Sequence, residues 1–211
     1  MGASLPLLCN PVRVLIIPGL NNSGPDHWQT WLGTQYRDSR RVQQSDWAHP
    51  ELATWSDQIE RTVQKARPGT IWVAVAHSFG CLALAHHLDK VSARGQDGDG
   101  TVPRIHAALL VAPADPVKFN VVHRLPQTGL GIPSLMIGSE NDPWMPLERA
   151  QSWARIWGSK FLNLGQAGHI NAESGHGPWP LARFKVDELI RDQYRQRRLA
   201  HVSPLDLHYA V

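Results

Sequence analysis

The segments of this chain that have a strand-like pattern are apolar almost throughout, and amphipathic helical segments separate them. Residues 71–75 (IWVAV) are five consecutive apolar residues, and a helical pattern follows from Phe79 to Arg94. A strand with one exposed face alternates apolar and polar residues, whereas a strand in a parallel sheet is covered on both faces. The pattern therefore predicts a doubly wound α/β domain with a mostly parallel sheet of about six strands, flanked by helices.

The chain length predicts one domain, because 211 residues suffice for a single sizeable core. We expect the α/β domain at 12–198, an N-terminal extension at 1–11 and a C-terminal tail at 199–211. The segment 95–103 (GQDGDGTVP) is polar and predicts a loop. The sequence has no internal repeat and no second domain boundary.

Charge and composition exclude several classes of function. The net charge is +3, but the basic excess lies mainly in 191–198 (RDQYRQRR), with no basic stripe interleaved with aromatic residues. We therefore expect no nucleic-acid partner. No apolar run approaches ~18 residues, so we expect no membrane span. Two cysteines form no disulfide framework, and the N-terminus has no secretory signal pattern, so a cytoplasmic location is expected.

Four residues with catalytic chemistry follow predicted strands: Ser78, Asp115, Asp142 and His169. The carboxyl ends of parallel strands meet at one edge of a sheet, where ligands collect. A serine, then an acid, then a histidine is the chain order typical of α/β-hydrolases with a Ser-His-Asp triad. The sequence thus predicts a catalytic site at this edge.

Ser78 is the candidate nucleophile, because it lies between a buried strand and a helix. Ala76 and Gly80 flank it in an A-x-S-x-G pattern, with Ala76 in place of the usual first glycine. A nucleophile elbow holds its serine in a strained turn, and small neighbours let the strand and the helix approach each other. The pattern alone is weak, but the strand, the helix and the downstream acid and histidine favour the elbow.

His169 is the candidate base, because nearby glycines would let its loop reach back over the sheet. His176 is the alternative, further from the strand end. His86 and His87 are adjacent on a helix and point in different directions. We find no spacing of metal ligands and expect neither a metal nor a cofactor.

The candidate acid is Asp142, with Asp115 as the alternative. Each aspartate precedes a proline, so each could equally be a turn residue or a helix N-cap. We favour Asp142, because its distance along the chain from Ser78 and from His169 leaves room for the helices between them.

Two backbone N–H groups are expected to form the oxyanion hole. One belongs to Phe79, which follows the nucleophile, and the other to the loop PGLNNSG after the first strand, where Leu20 is best placed and Asn21 next. Asn21, Trp144 and Trp179 are candidate substrate-binding residues, although both tryptophans could equally be packing residues.

Four segments together give a family resemblance: VLIIPGLNNSGPDHWQTWL, VAHSFGCLALAHHL, SENDPW and AGHINAESGHGPWP. They resemble the small cap-less α/β-hydrolases related to retinoblastoma-binding protein 9 and to YdeN-type bacterial esterases, over roughly residues 12–195. The resemblance implies Ser78 as nucleophile, Asp142 as acid and His169 as base. It also implies a Rossmann-like parallel sheet, activity on small esters or amides, and no cofactor, but it identifies no natural substrate.

The expected function is therefore hydrolysis of a small-molecule acyl ester, or of a thioester or amide, through an acyl-enzyme. The alternative is a protein-binding scaffold that retains the fold with little or no catalysis. The 18 residues of 116–133 are too few for a separate cap, which predicts an open groove and short acyl groups. The sequence does not indicate the oligomeric state.

Overall fold

The computed structural model describes residues 11–95 and 102–201. Within these ranges a six-stranded sheet with the order β2-β1-β3-β4-β5-β6 is parallel throughout, which confirms the predicted α/β class and strand number. The strands are β1 (Val12–Ile17), β2 (Arg40–Arg41), β3 (Ile71–Ser78), β4 (Arg104–Pro113), β5 (Ser134–Gly138) and β6 (Lys160–Asn163). The helices are α1 (Trp28–Thr34), α2 (Leu52–Gln64), α3 (Phe79–Ala93), α4 (Leu147–Ile156) and α5 (Pro180–His201).

The order of the strands fixes where a ligand can bind. The chain moves from β1 outward to β2 and then returns to the other side of β1 to form β3. The loops that follow β1 and β3 therefore diverge and leave a crevice at the carboxyl ends of these two strands. Both the loop after β1 and Ser78 at the end of β3 lie at this switch point.

The sheet is covered on both faces, as the apolar strands predict. Every residue of β3 is buried. Trp72, Ala74 and Ala76 pack into the core shared with α2, α3 and α4, whereas Val73 and Val75 pack into the core shared with α1 and α5. Successive side chains of one strand thus enter opposite cores, so the strand has no polar face.

The segment between β4 and β5 forms no separate cap, as predicted. Residues 116–133 form turns and one short 3₁₀ turn at Val122–Arg124. None of the helices within the described ranges has the length and apolar character needed to cross a membrane. The proposed N-terminal extension and C-terminal tail fall mostly outside these ranges, and their boundaries remain predictions; the helix α5 continues to His201.

Candidate active site

Ser78 occupies a strained turn between β3 and α3. Its backbone has φ 53° and ψ −126°, a conformation at positive φ that costs a non-glycine residue about 1–3 kcal/mol. The turn requires close packing of backbone. A Cβ on Gly80 would lie 2.5 Å from the Pro18 carbonyl oxygen, and a Cβ on Gly19 would lie 2.6 Å from the Ser78 Cβ. Ala76 is fully buried two residues before the serine, so the extra methyl is accommodated in the core.

The first turn of α3, directly after the elbow, is buried. Cys81 on α3 is completely buried, and its thiol donates a long hydrogen bond of 3.6 Å to the Val111 carbonyl oxygen. Burial raises the pKa of this thiol, which keeps it protonated and unreactive.

The structure brings Ser78, His169 and Asp142 into one hydrogen-bonded chain. The His169 Nε2 lies 2.9 Å from the Ser78 Oγ, and the His169 Nδ1 lies 2.9 Å from both carboxylate oxygens of Asp142. The carboxylate can only accept, so Nδ1 carries the proton of the neutral ring and Nε2 is free to accept the serine O–H. The side chains of His169 and Asp142 are 9% and 2% exposed, so water competes little for these bonds.

The two candidate acids have different surroundings. Asp142 accepts a further hydrogen bond of 2.8 Å from the Trp144 backbone N–H, which fixes its carboxylate toward His169. Asp115 is buried in an ion pair with the Arg149 guanidinium and accepts from the Val117 backbone N–H at 3.0 Å. Asp115 therefore has hydrogen-bond partners other than His169.

The loop that carries His169 is tied to the loop that carries Asp142. The Asn141 Oδ1 accepts from the Gly168 N–H at 2.7 Å, and the Ser139 Oγ accepts from the Ala167 N–H at 3.0 Å. These bonds connect the loops that carry Asp142 and His169 at the ends of β5 and β6.

The backbone N–H groups of Phe79 and Leu20 are the candidates for an oxyanion hole. Phe79 is the first residue of α3, and the N–H groups of a first helical turn have no acceptor within the helix. The Leu20 N–H has no acceptor among the described residues. The Asn21 N–H donates to the Trp47 carbonyl oxygen at 2.9 Å. Asn21, the alternative donor expected from the sequence, is therefore not available for this role.

The loop after β1 is held by buried polar side chains that the sequence did not identify. The fully buried Gln29 donates to the Ile17 and Val75 carbonyl oxygens at 3.2 and 3.0 Å and accepts from the Ser23 hydroxyl at 2.7 Å. Arg41 donates to the Ser23 carbonyl oxygen at 2.9 Å. These bonds fix the Leu20 segment relative to β1 and β3.

Ser78 lines a pocket of about 320 Å³. Its lining is mixed and includes aromatic side chains together with amide, imidazole and carboxylate groups. The lining residues besides the catalytic candidates are Leu20, Asn21, Asn22, Gly24, His27, His77, Phe119, Trp144, Asn171, Ala172 and Glu173.

Asn21 and Trp144 thus lie where the sequence predicts substrate-binding residues, but Trp179 does not. Trp179 is 9% exposed and packs edge-on against Trp28, with ring centroids 5.3 Å apart. It belongs to the core between α1 and α5, which corrects its expected place in the pocket. His176, the alternative base, packs against Trp179 and has no hydrogen bond to Ser78.

Two buried imidazoles next to the site are neutral. Burial, followed by the charge of Arg41, lowers the pKa of His27 to about 4. Its Nδ1 accepts from the Gln29 N–H at 3.1 Å, so its Nε2 carries the proton. Burial also lowers the pKa of His77 well below its ordinary value. Within the described ranges, no cluster of three or more His, Cys, Asp or Glu side chains is arranged to hold a metal ion.

Solved structures share this fold over most of their length. A protein described as a YdeN-like hydrolase from Pectobacterium atrosepticum is 34% identical, with a TM-score of 0.72 over 84% of this chain and 88% of the other. The ydeN gene product from Bacillus subtilis is 18% identical, with a TM-score of 0.66 over 86% and 98% of the two chains. Est1E from Butyrivibrio proteoclasticus, solved with ferulic acid bound, is 12% identical, with a TM-score of 0.65 over 88% and 90%. The latter two similarities show the fold alone.

A search of curated proteins found no match. In a comparison with family models, residues 14–188 match the family described as serine hydrolase, a span that includes Ser78, Asp142 and His169. Because this match covers most of the chain and agrees with the 34% identical hydrolase from Pectobacterium, the chain belongs to the serine hydrolase family.

Proposed function

We propose that Ser78, His169 and Asp142 are a catalytic triad that hydrolyses small acyl esters through an acyl-enzyme intermediate. The observation that carries the proposal is the continuous hydrogen-bonded chain from the Asp142 carboxylate through His169 to the Ser78 hydroxyl, with contacts of 2.9 Å. A serine hydroxyl is a weak nucleophile until an adjacent base accepts its proton, and this chain supplies the base and a group that orients it.

In the acylation step, the Ser78 Oγ attacks the acyl carbonyl carbon while His169 Nε2 takes the hydroxyl proton. Asp142 stabilises the imidazolium and does not itself take up the proton. The bond from the acyl carbon to the leaving alcohol oxygen then breaks, and Nε2 gives its proton to that oxygen. The product is an alcohol and an ester of Ser78.

The oxyanion of each tetrahedral intermediate would lie between the N–H groups of Leu20 and Phe79. Donors that are oriented before the reaction stabilise developing charge without reorganisation, and removal of one such donor from a hydrolase costs about 10²–10³ in kcat. Ser23 in the loop after β1 donates to Gln29, which in turn donates to the Ile17 and Val75 carbonyl oxygens, and these bonds restrain the segment that carries the Leu20 N–H.

Deacylation reverses the roles. A water molecule attacks the acyl carbon as Nε2 accepts one of its protons, and the bond between the acyl carbon and Ser78 Oγ breaks. Nε2 returns the proton to the serine, and the acid leaves. These steps use only the side chains described, and thioesters and amides would follow the same route with a sulfur or nitrogen leaving group.

The pocket favours short acyl groups. Phe119 and Trp144 provide its aromatic surface, whereas Asn21, Asn22 and Asn171 provide amide groups. A long chain in this pocket would place methylene groups against amides and solvent and so lose up to ~0.8 kcal/mol for each group left unburied.

The alternative of a non-catalytic scaffold has less support. A scaffold does not need a base held within hydrogen-bond distance of a serine in a strained turn, and such strain concentrates at functional sites.

Fluorophosphonate labelling followed by peptide mass spectrometry tests the proposal. We expect the wild-type protein to be labelled at Ser78, and Ser78→Ala to lose both labelling and p-nitrophenyl acetate hydrolysis while it keeps its Tm. Ser152→Ala, on the outer face of α4, is the matched control and should keep both. Labelling that persists in Ser78→Ala would refute the assignment, and folded wild-type protein that neither reacts nor hydrolyses any ester would favour the scaffold.

A further inference from the structure

The residue after His169 has a strained backbone. Ile170 has φ 47°, in the left-handed region, and is completely buried. A β-branched side chain at positive φ is a conformational outlier, because its Cβ substituents crowd the adjacent peptide groups. Glycine or asparagine is the usual residue in such a position, so other interactions must hold Ile170 there.

Two buried side chains bond to the consecutive carbonyl groups on either side of this strained residue. The His77 Nε2 lies 3.0 Å from the His169 carbonyl oxygen, and the Trp28 Nε1 donates to the Ile170 carbonyl oxygen at 2.7 Å. A carbonyl oxygen only accepts, so the His77 Nε2 carries the proton. The donors are 5% and 0% exposed, so no water replaces them readily.

The two donors are anchored in the elements next to the nucleophile. His77 immediately precedes Ser78 on β3, and Trp28 begins α1. The rings of His77 and His169 have centroids 4.9 Å apart, and those of Trp28 and His77 have centroids 6.0 Å apart. The same group of rings therefore contacts the elbow and the base loop, which is the segment 164–179 between β6 and α5 that carries His169.

We propose that His77 and Trp28 are positioning residues, which hold the Ile170 peptide in its left-handed conformation so that the His169 ring reaches Ser78. The proposal rests on the triad proposed above. A turn of the Ile170 backbone toward negative φ would rotate the adjoining peptide plane and move His169. A displacement of about 1 Å in a catalytic group costs about 10² in rate.

His77 can fill this role because its ring is uncharged. Its ring lies beside His169, which becomes an imidazolium during each catalytic step, and a second positive charge there would oppose that step. Burial first, and then the charges of His169 and His27, lower the pKa of His77 well below its ordinary value, so it remains a neutral donor.

The test compares two replacements of His77 and one control. His77→Phe keeps an aromatic ring and removes the donor, and we expect kcat to fall about 100-fold with KM changed less than about threefold. His77→Gln retains an N–H donor and should keep kcat within about tenfold of wild type. His87→Phe replaces another buried histidine, which lies on α3, pairs with Glu60 of α2 and does not line the pocket, and it should leave kcat within about twofold.

Equal losses in His77→Phe and His77→Gln, or a His77→Phe kcat within about threefold of wild type, would overturn the proposal. If His77→Phe does not fold, Trp28→Phe removes the second donor and should lower kcat about tenfold at unchanged KM, and an unchanged kcat would count equally against the proposal.

The crystal structure of His77→Phe separates this proposal from that of the triad. We expect Ile170 to leave positive φ, or the distance from His169 Nε2 to Ser78 Oγ to exceed about 3.5 Å. Unchanged geometry at both places would overturn the positioning role whether or not the protein hydrolyses esters. Wild-type protein without esterase activity or labelling would refute the triad but not the positioning of the loop.

Discussion

The elbow and the base loop both contain a residue at positive φ, Ser78 at φ 53° and Ile170 at φ 47°. The elbow is held by backbone packing, because Gly80 lies against the carbonyl groups of Ile17 and Pro18. The base loop is held by side-chain donors from elements 92 and 142 residues away along the chain. The strain is thus stabilised by close packing of the backbone against the end of β1 in one region and by side-chain hydrogen bonds in the other.

The difference has a consequence for mutation. A change in the elbow should disturb the packing of the strand and helix and therefore the fold. A change in the base loop or its partners should misplace one ring and therefore affect the reaction more than the stability. The following experiments test this distinction.

The largest effect is expected at Asp142, the proposed acid. Asp142→Asn should lower kcat by about 10³–10⁴, because an amide no longer selects the tautomer with the proton on Nδ1. The Tm should change little. Steady-state kinetics and thermal unfolding measure both.

Asp115→Asn is the matched comparison. It leaves Arg149 without its buried carboxylate partner, so stability should fall while kcat stays within about tenfold. If the two variants gave the reverse result, the acid would be Asp115 and the base loop would depend on a different strand end.

Gly80→Ala should disrupt the packing of the elbow and thereby destabilise the fold. The new methyl group would meet the Pro18 carbonyl oxygen at 2.5 Å, so α3 must move away from the loop after β1. We expect a loss of about 3 kcal/mol in the free energy of unfolding, measured by urea denaturation.

Gly33→Ala is the control for that experiment. Its Cβ would have only ordinary contacts of 3.9 and 4.0 Å on helix α1, and we expect it to be neutral or stabilising by up to about 1 kcal/mol. Equal stability of the two variants would mean that the elbow does not depend on close backbone packing.

Acidification should lower the stability of the folded protein, because the buried imidazoles of His27 and His77 have lowered pKa values. Burial lowers the pKa of His27 to about 4 from an ordinary value of 6.5, so between these values the unfolded chain binds a proton that the folded chain does not. Stability is then highest above about pH 6.5 and falls as the pH drops toward 4. His77 contributes in the same direction.

Thermal unfolding at pH 7 and pH 4.5 measures this effect, and we expect His27→Gln to reduce the drop in Tm by roughly 3 °C or more. Gln64→Ala, at the end of the exposed face of α2, is a control that should not alter the drop. If the drop in Tm were the same in His27→Gln and in wild type, His27 would not be its cause.

The smallest effect is expected when the length of the acyl group is varied, because the loops that line the pocket give it no extended apolar wall. The loop after β1 contributes Asn21 and Asn22, and the base loop contributes Asn171 and Glu173. We expect kcat/KM for p-nitrophenyl esters to vary less than about tenfold from acetyl to butyryl and to rise no further with longer chains. A steady increase to dodecanoyl would mean that Phe119 and Trp144 open onto an apolar channel.

The sequence predicted the elements that depend on local patterns. Apolar strands and amphipathic helices give the parallel sheet, and the ends of its strands bring Ser78, Asp142 and His169 within hydrogen-bond distance of one another. The small residues around Ser78 also predicted its strained turn, since the steric demand of the elbow falls on its immediate neighbours.

The ties of the base loop could not be predicted in this way. A histidine can have many roles, and no residue near His77 in the sequence indicates that its partner is the His169 carbonyl group 92 residues later. Ile170 has no sequence signal for positive φ, because the usual signals are glycine and asparagine. Trp179 was misplaced for a related reason: its closeness to His169 in sequence says nothing about which side of the sheet its ring packs on.

The buried Cys81 makes the integrity of the elbow measurable without a substrate. In the folded protein its thiol is inaccessible and protonated, so a maleimide can react only when α3 separates from β3 and β4. In a Cys9→Ser background, the rate of alkylation therefore reports the population of that opened state. This population can be compared between variants of the elbow and of the base loop without any assay of activity.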